Sequence, residues 1–171
     1  RLNFTIRNVR TTLSSLKQAI SGEIIMTPQL QNALNAISDS KPPKHWYTDA
    51  SGASIAWQLP SLALWFASLL EREKQVTLWL NTTRPITYWL TGFFNPQGML
   101  TAMKQEVCRK HQKDANKWAL DDIVYHTEVM HMERFDQVKQ GPAEGCYIHG
   151  LFLEGAAWSK EHQQIWESEP K

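Results

Sequence analysis

His126, His131 and Glu133 are the residues whose types and spacing come nearest to a metal set, since imidazole nitrogen and carboxylate oxygen are ordinary zinc ligands. The segment around them alternates with a period of two. That puts His131 and Glu133 on one face of a strand and His126 on the other, so the three do not converge. A two-ligand contact is the metal reading that survives, and a small hydrolase using His126 or His131 is its weakest extension. Asp121-Asp122 is an acid pair, but adjacent residues point apart, and turn chemistry accounts for it better. Gly92 and Gly98 flank Pro96, which has no amide to offer, so they form no phosphate cradle. Neither a Gly-x-x-x-x-Gly-Lys-Ser/Thr run nor a Gly-x-Ser-x-Gly elbow occurs. Cys108 and Cys146 are the only two cysteines, too few for a disulfide framework or a zinc set, and they read as a reducing compartment. His45 lies beside Trp46 and Tyr47. A ligand role is one reading, and aromatic anchoring of a loop is the favoured one. The expectation is therefore no catalytic constellation, cofactor site or metal site in this segment.

The elements that would position these groups follow from apolar spacing. Leu2, Ile6, Val9, Leu13, Leu16 and Ile20 predict a helix with one apolar stripe, closed by Gly22. Arg1-Leu2-Asn3-Phe4 reads as a cut inside a helix, with the stripe packing on other helices or on a neighbouring domain. Thr27-Pro28 predicts a second helix with Leu30, Ala33, Leu34 and Ile37 inward. Residues 38–56 predict a surface loop. A third helix is expected from Pro60, with Leu62, Phe66, Leu69, Val76 and Leu80 inward and Trp65 and Trp79 at its boundary. Ile86 to Phe94 reads as a short helix or turn packed deep. Asn95 as N-cap and Pro96 at the first position open a fourth helix that runs to about His111, with Leu100, Met103 and Val107 on its apolar face.

From Asp121 the period-two pattern predicts one strand, Cys146 to Leu153 a second, and Gln164 to Glu167 a third. Two or three strands alone are marginal, so the sheet is expected to pack on the helices and to want more strands. The fold class is α+β: a helical subdomain over 1–119, then a small antiparallel, incomplete barrel-like sheet over 120–171.

The totals exclude some classes. The chain has 171 residues and a formal net charge of +1, which argues against a nucleic-acid partner. No apolar run approaches the ~20 residues of a membrane span. Eight tryptophans stand out, because each brings a large apolar area and an N–H that needs a partner.

Two blocks carry a resemblance. The first is Trp89-Leu90-Thr91-Gly92-Phe93-Phe94-Asn95-Pro96-Gln97-Gly98-Met99-Leu100-Thr101-Ala102. The second runs from Glu144-Gly145-Cys146 through His149-Gly150-Leu151 to Gly155-Ala156-Ala157-Trp158, followed by Glu167-Ser168-Glu169-Pro170-Lys171. Together they resemble the C-terminal domain of dynein heavy chains, over essentially the whole chain. The signature positions are Trp89, Gly92, Phe93, Phe94, Pro96, Gly98, Leu100, Gly145, Gly150, Leu151, Gly155 and Trp158. Lys113 to Asp121 is similar to axonemal outer-arm chains.

The resemblance implies a helical bundle followed by a small β-barrel, lying on a ring of AAA+ modules and tuning a microtubule motor. It implies ATP and Mg at those modules elsewhere in the parent chain, a microtubule-stimulated ATPase. It also implies dynein subunits and microtubules as partners, a ciliary or flagellar axoneme as location, and further strands beyond Pro170-Lys171. The alternative is a free-standing adaptor that binds a protein through strand edges and exposed Trp.

Overall fold

The structure, a computed structural model, describes residues 1–82, 84–113, 118–132 and 134–168. The expectations that rest on Glu133, on residues 114–117 of the outer-arm-like segment and on Pro170-Lys171 lie outside the described residues. The chain is α+β. It divides into two compact units, Arg1–Thr77 and Leu78–Lys171, and the division falls inside a helix.

The first unit holds α1 (Leu2–Ile20), α2 (Pro28–Ser38) and most of α3 (Leu62–Asn81). α1 ends as its residues dictate, with Ser21 as C-cap and Gly22 following at φ +79°. Its buried face differs from the expected stripe. Thr5, Val9, Thr12 and Leu16 are buried, while Leu13 and Ile20 are exposed. The rotation has a chemical cause. Thr12 faces inward because its hydroxyl is needed there: it accepts from Trp46 Nε1 at 3.2 Å and lies 2.8 Å from His45 Nε2.

α2 starts on its cap, the Thr27 hydroxyl accepting from the Leu30 N–H at 3.3 Å with Pro28 in the first turn. The loop after it is anchored by the short turn Lys44–Trp46, and Trp46 is fully buried. Aromatic anchoring is thus what this loop does. Trp46, Trp65, Val9 and Leu69 form the core, with Ile6, Trp57 and Phe66 packed around them. Trp65 was expected at the boundary of α3 and is instead fully buried; Leu80, expected inward, is 78% exposed. The inward face of α3 is Trp65, Leu69 and Arg72. The reason is again polar: Trp65 Nε1 finds the Trp57 carbonyl at 3.1 Å, so the indole can be buried without an orphan donor. Trp57 stacks on Trp65 at 5.2 Å, and the Arg72 guanidinium lies 4.3 Å over Trp57.

The second unit holds β1 (Thr87–Trp89), α4 (Pro96–Lys110), β2 (Tyr147–His149), β3 (Ala156–Ser159) and β4 (Gln164–Glu167). Residues 86–94, expected as helix or turn, form β1 and then the tight turn Leu90–Gly92. β1 pairs with β2 in parallel, Thr87 with Tyr147 through Trp89 with His149, so the sheet here is not the antiparallel one expected. β3 and β4 form an antiparallel pair, Ala156 with Glu167 through Ser159 with Gln164. β4 was expected and β3 was not.

The strand expected from Asp121 is absent among the described residues. Leu120–Asp122 is a short turn, Ile123 is half-buried, and residues 124–132 lie exposed, Val124 by 82%. Alternation alone does not make a strand without a ladder to join. The strand expected to run to Leu153 stops at His149, because Gly150 takes φ +75°. β1 and β2 pack on α4 as required: Tyr88 and Leu90 join Met99 and Met103, with Phe93, Leu100, Cys146 and Ile148 against them.

Thr12 sits at the centre of the first unit, and its loss has a readable cost. It donates to the Asn8 carbonyl at 2.7 Å, so its oxygen is left to accept from Trp46 and from a neutral His45 protonated at Nε2. Thr12→Val is expected to cost about 1–3 kcal/mol through the stranded donors, and Thr12→Ser much less, as read by urea unfolding. Burial holds the His45 pKa below its ordinary value. Stability from neutral His45 is therefore present above the unfolded-state pKa and lost as pH falls through the folded one. His45→Gln should flatten that acid slope in a pH series of unfolding midpoints.

Candidate functional site

The two sequence blocks meet at one side chain. Trp89 ends β1, and its indole fills the space above two glycines. A Cβ on Gly92, in the turn just after β1, would enter the ring at Cε3, and a Cβ on Gly150, just after β2, would enter it at Cδ1. Gly150 also holds φ +75°, a conformation that L side chains rarely adopt. The Thr91 hydroxyl donates to the Gly150 carbonyl at 3.3 Å and closes the same corner. Trp89, Gly92 and Gly150 thus form one contact from residues far apart in sequence.

The other signature residues divide. Phe93 packs on the Tyr88, Leu90, Met99 and Met103 cluster, and Leu100 does the same. Phe93 and Phe94, which end the segment expected to pack deep, are both half-buried. Asn95 Oδ1 accepts from the Gly98 N–H at 3.0 Å, and Pro96 opens the helix beside it. Gly98 suits this cap because a Cβ there would lie 2.7 Å from the Asn95 Nδ2. Gly145 takes φ +77° and presents its carbonyl to Arg84 at 2.6 Å.

Leu151, Gly155 and Trp158 are not gathered here. Leu151 is half-exposed, and Gly155 turns the backbone at φ +72° while accepting from the Ser168 N–H at 2.9 Å. Trp158 lies in β3 opposite Ile165 and stacks on His131 at 5.2 Å. Its indole nitrogen is buried with no hydrogen-bond partner among the described residues.

Sequence reasoning assigned no partner to Arg84, Glu106, Lys110, His111 or Glu144. Arg84 pairs with Glu106 and reaches the Met103 sulfur at 3.3 Å. It also lies beside the Tyr88 hydroxyl, whose pKa is pushed up chiefly by burial. Lys110 and His111, at the end of α4, reach across to Ala143 and Glu144. The partners of Lys110 and His111 are each 33 residues away and Gly145 is 61 residues from Arg84, so no local signal could have found them.

The residues weighed for chemistry are placed as follows. His126 is exposed beside Glu128 at 3.4 Å, and His131 is taken up by Trp158. Asp122 accepts from the Ala119 N–H at 2.7 Å, which is turn chemistry. Burial pushes the Cys146 thiol up, away from a reactive thiolate. Among the described residues no group of three or more His, Cys, Asp or Glu could hold a metal, and no helix is long and apolar enough to cross a membrane.

The geometry is that of a packed α+β domain in which the Trp89 ring lies on two glycines and basic side chains reach backbone carbonyls. The protein belongs to the family of C-terminal domains of dynein heavy chains, whose model matches residues 1–171. It is 42% identical over 171 residues to dynein axonemal heavy chain 8 of Homo sapiens, covering 100% of this chain and 4% of that protein. It is 43% identical over 172 residues to dynein axonemal heavy chain 5 of Mus musculus, and 44% identical over 172 residues to the flagellar outer arm dynein gamma chain of Chlamydomonas reinhardtii. Both comparisons cover 100% of this chain and 4% of the relative. The chain thus spans about 4% of the length of these relatives.

Gly150→Ala is expected to cost about 2–4 kcal/mol, from the left-handed backbone and the encounter with Trp89 together. Gly92→Ala should cost about 1–3 kcal/mol, and most of that should vanish in a Trp89→Ala background, because the obstacle is gone. A double-mutant cycle in urea measures the coupling. Phe93→Ala, which removes a ring from the Tyr88, Leu90, Met99 and Met103 cluster, should cost about 2–4 kcal/mol in the same assay.

Proposed function

We propose that this protein is the non-catalytic structural and regulatory C-terminal domain of an axonemal dynein heavy chain. It packs on the AAA+ ring of an ATP-driven, minus-end-directed microtubule motor that beats cilia and flagella. The observation that carries this reading is similarity along the whole chain to heavy chains named axonemal or flagellar outer arm. On this reading the domain works in the axoneme, in contact with the ring of its own heavy chain. Dynein subunits and microtubules are reached through the parent chain. ATP and Mg bind at AAA+ modules elsewhere in that polypeptide, which is the microtubule-stimulated ATPase.

Exposed apolar side chains support a packing role. Leu64, Leu70 and Leu80 on α3 are 58%, 65% and 78% exposed, and Phe152 is 89% exposed. The proposed architecture keeps a helical subdomain over 1–119, which lends β1 to the sheet, and a β subdomain over 120–171 whose strands are part of a barrel-like sheet. The exposure of every residue of β4 favours that completion. Kinship at full length does not favour the free-standing adaptor.

Two measurements test this. Isothermal titration of the 171-residue chain with ATP and Mg is expected to give no binding; a micromolar affinity would sink the non-catalytic assignment. A blot of source tissue with an antibody to the segment around Trp118 is expected to mark a polypeptide of several hundred kilodaltons. A band at the size of this domain alone would overturn the motor-chain reading.

A further inference from the structure

The first unit carries a cavity that its core does not fill. It has a volume of about 860 Å³ and is lined by α2, by the loop that follows, and by the chain that leads into α3. Drug-sized ligands are held in cavities of about 300–1,000 Å³. Part of the lining is apolar: Ala33 and Ala36 of α2, the consecutive Pro42 and Pro43, then Leu59 and Pro60. Ala33, Pro42 and Pro43 are buried, and the proline rings fix φ, so this wall is organised before anything binds.

The polar lining is tied down at the backbone and open at the side chains. The Lys41 N–H donates to the Ala36 carbonyl at 2.8 Å, and the Leu62 N–H to the Ser40 carbonyl at 2.8 Å. Buried Thr48 donates to the Lys44 carbonyl from its N–H at 3.0 Å and from its hydroxyl at 2.9 Å. Gln29, Asn32, Lys41, Lys44 and Tyr47 all line the cavity. Among the described residues, none of these five side chains makes a hydrogen bond or an ion pair.

Their chemistry selects an anion. Lys41 and Lys44 bring two ammonium groups, and Gln29 stands in the first turn of α2, at the positive end of its dipole. Asp49 is the one carboxylate in the lining, and it is held in its own turn. Its Oδ1 accepts from the Ser51 hydroxyl at 2.6 Å and from the Ser51 and Ala53 N–H groups at 2.9 and 3.0 Å. His45 adds no third cation, because its Nε2 is engaged with Thr12 and burial holds its pKa down. An ion as small as phosphate would meet the ammonium groups and leave the rest of the cavity unmatched. The carboxamides of Gln29 and Asn32 each offer a donor and an acceptor, as a peptide group does. An extended peptide meets every part at once: carboxylates on the lysines, backbone on the amides, an apolar side chain on the prolines and Leu59.

We propose that this cavity is a docking groove for an extended acidic peptide of a partner protein, with an apolar side chain beside its carboxylate. The groove is internal to the first unit, so it stands whether or not the domain packs on a ring.

The test starts from random heptapeptides displayed on phage and panned on the immobilised 171-residue chain. They are expected to converge on Asp or Glu next to Leu, Ile, Val or Pro. The selected peptide, labelled with fluorescein, is then titrated by anisotropy. The double variant Lys41→Gln/Lys44→Gln should weaken it by about five- to thirty-fold. Lys17→Gln/Lys74→Gln removes the same charge from exposed positions of the same unit outside the cavity and should leave the affinity unchanged. All four lysines are exposed, and equal urea midpoints confirm that both variants fold. On the native chain, the peptide should shift the side-chain amide signals of Gln29 and Asn32 in NMR spectra. A selection that does not converge on acidic sequences overturns the groove. So does a peptide that binds the Lys41/Lys44 variant equally well. Full displacement by millimolar inorganic phosphate, at ionic strength matched with chloride, overturns it too and leaves a simple anion site.

Discussion

One indole ring constrains the second unit more than any other group. Trp89 can lie where it does only because Gly92 and Gly150 carry no side chain. Gly92 follows Trp89 by three residues, so that contact sets the shape of the turn after β1. Gly150 follows β2, so that contact sets where β2 ends relative to β1. A ring of this size, wedged against two backbones, fixes position as well as burying area. The Thr91 hydroxyl on the Gly150 carbonyl then makes the corner directional. The two blocks that carry the family resemblance meet at this junction.

The first unit solves a related problem differently. Its core is built on indoles that would each strand a donor if buried alone. Thr12 and the Trp57 carbonyl answer the N–H groups of Trp46 and Trp65. A threonine on an otherwise apolar helix face is therefore structural: its oxygen is the acceptor that permits a fully buried tryptophan. His45 joins the same oxygen, and burial keeps it neutral. His111 is held differently, stacked on the Trp118 ring and in contact with the Glu144 carboxylate.

What was legible in the sequence was local. Thr27-Pro28 and Asn95-Pro96 named two helix starts because a cap and a proline act on neighbouring atoms. Gly22 named a helix end for the same reason. The buried face of α1 was misjudged because apolar spacing ignores a hydroxyl with two partners to satisfy. Ile123 to Met130 alternates like a strand, yet a strand exists only in a ladder, and its partner cannot be read from its own residues. β1 was hidden because three residues are too few to show a period. The cations at positions 84, 110 and 111 could not be matched to residues 143–145 by any local pattern, because their meeting depends on the parallel crossover.

That crossover accounts for the rest. Parallel strands cannot be joined by a tight turn; they need a connection of at least a dozen or so residues, commonly a helix. α4 is the helical part of the connection between β1 and β2, and it also supplies the surface, Met99 and Met103, on which Tyr88 and Leu90 pack. A ladder of three parallel pairs is weak by itself. It persists because it is buttressed on every side that the second unit offers: α4 against one face, Trp89 and Thr91 at the exit of β2, and Arg84, Lys110 and His111 at its entry. The glycines and the cations do one job from two ends. They let a very short strand pair hold together two stretches of backbone that lie far apart in sequence.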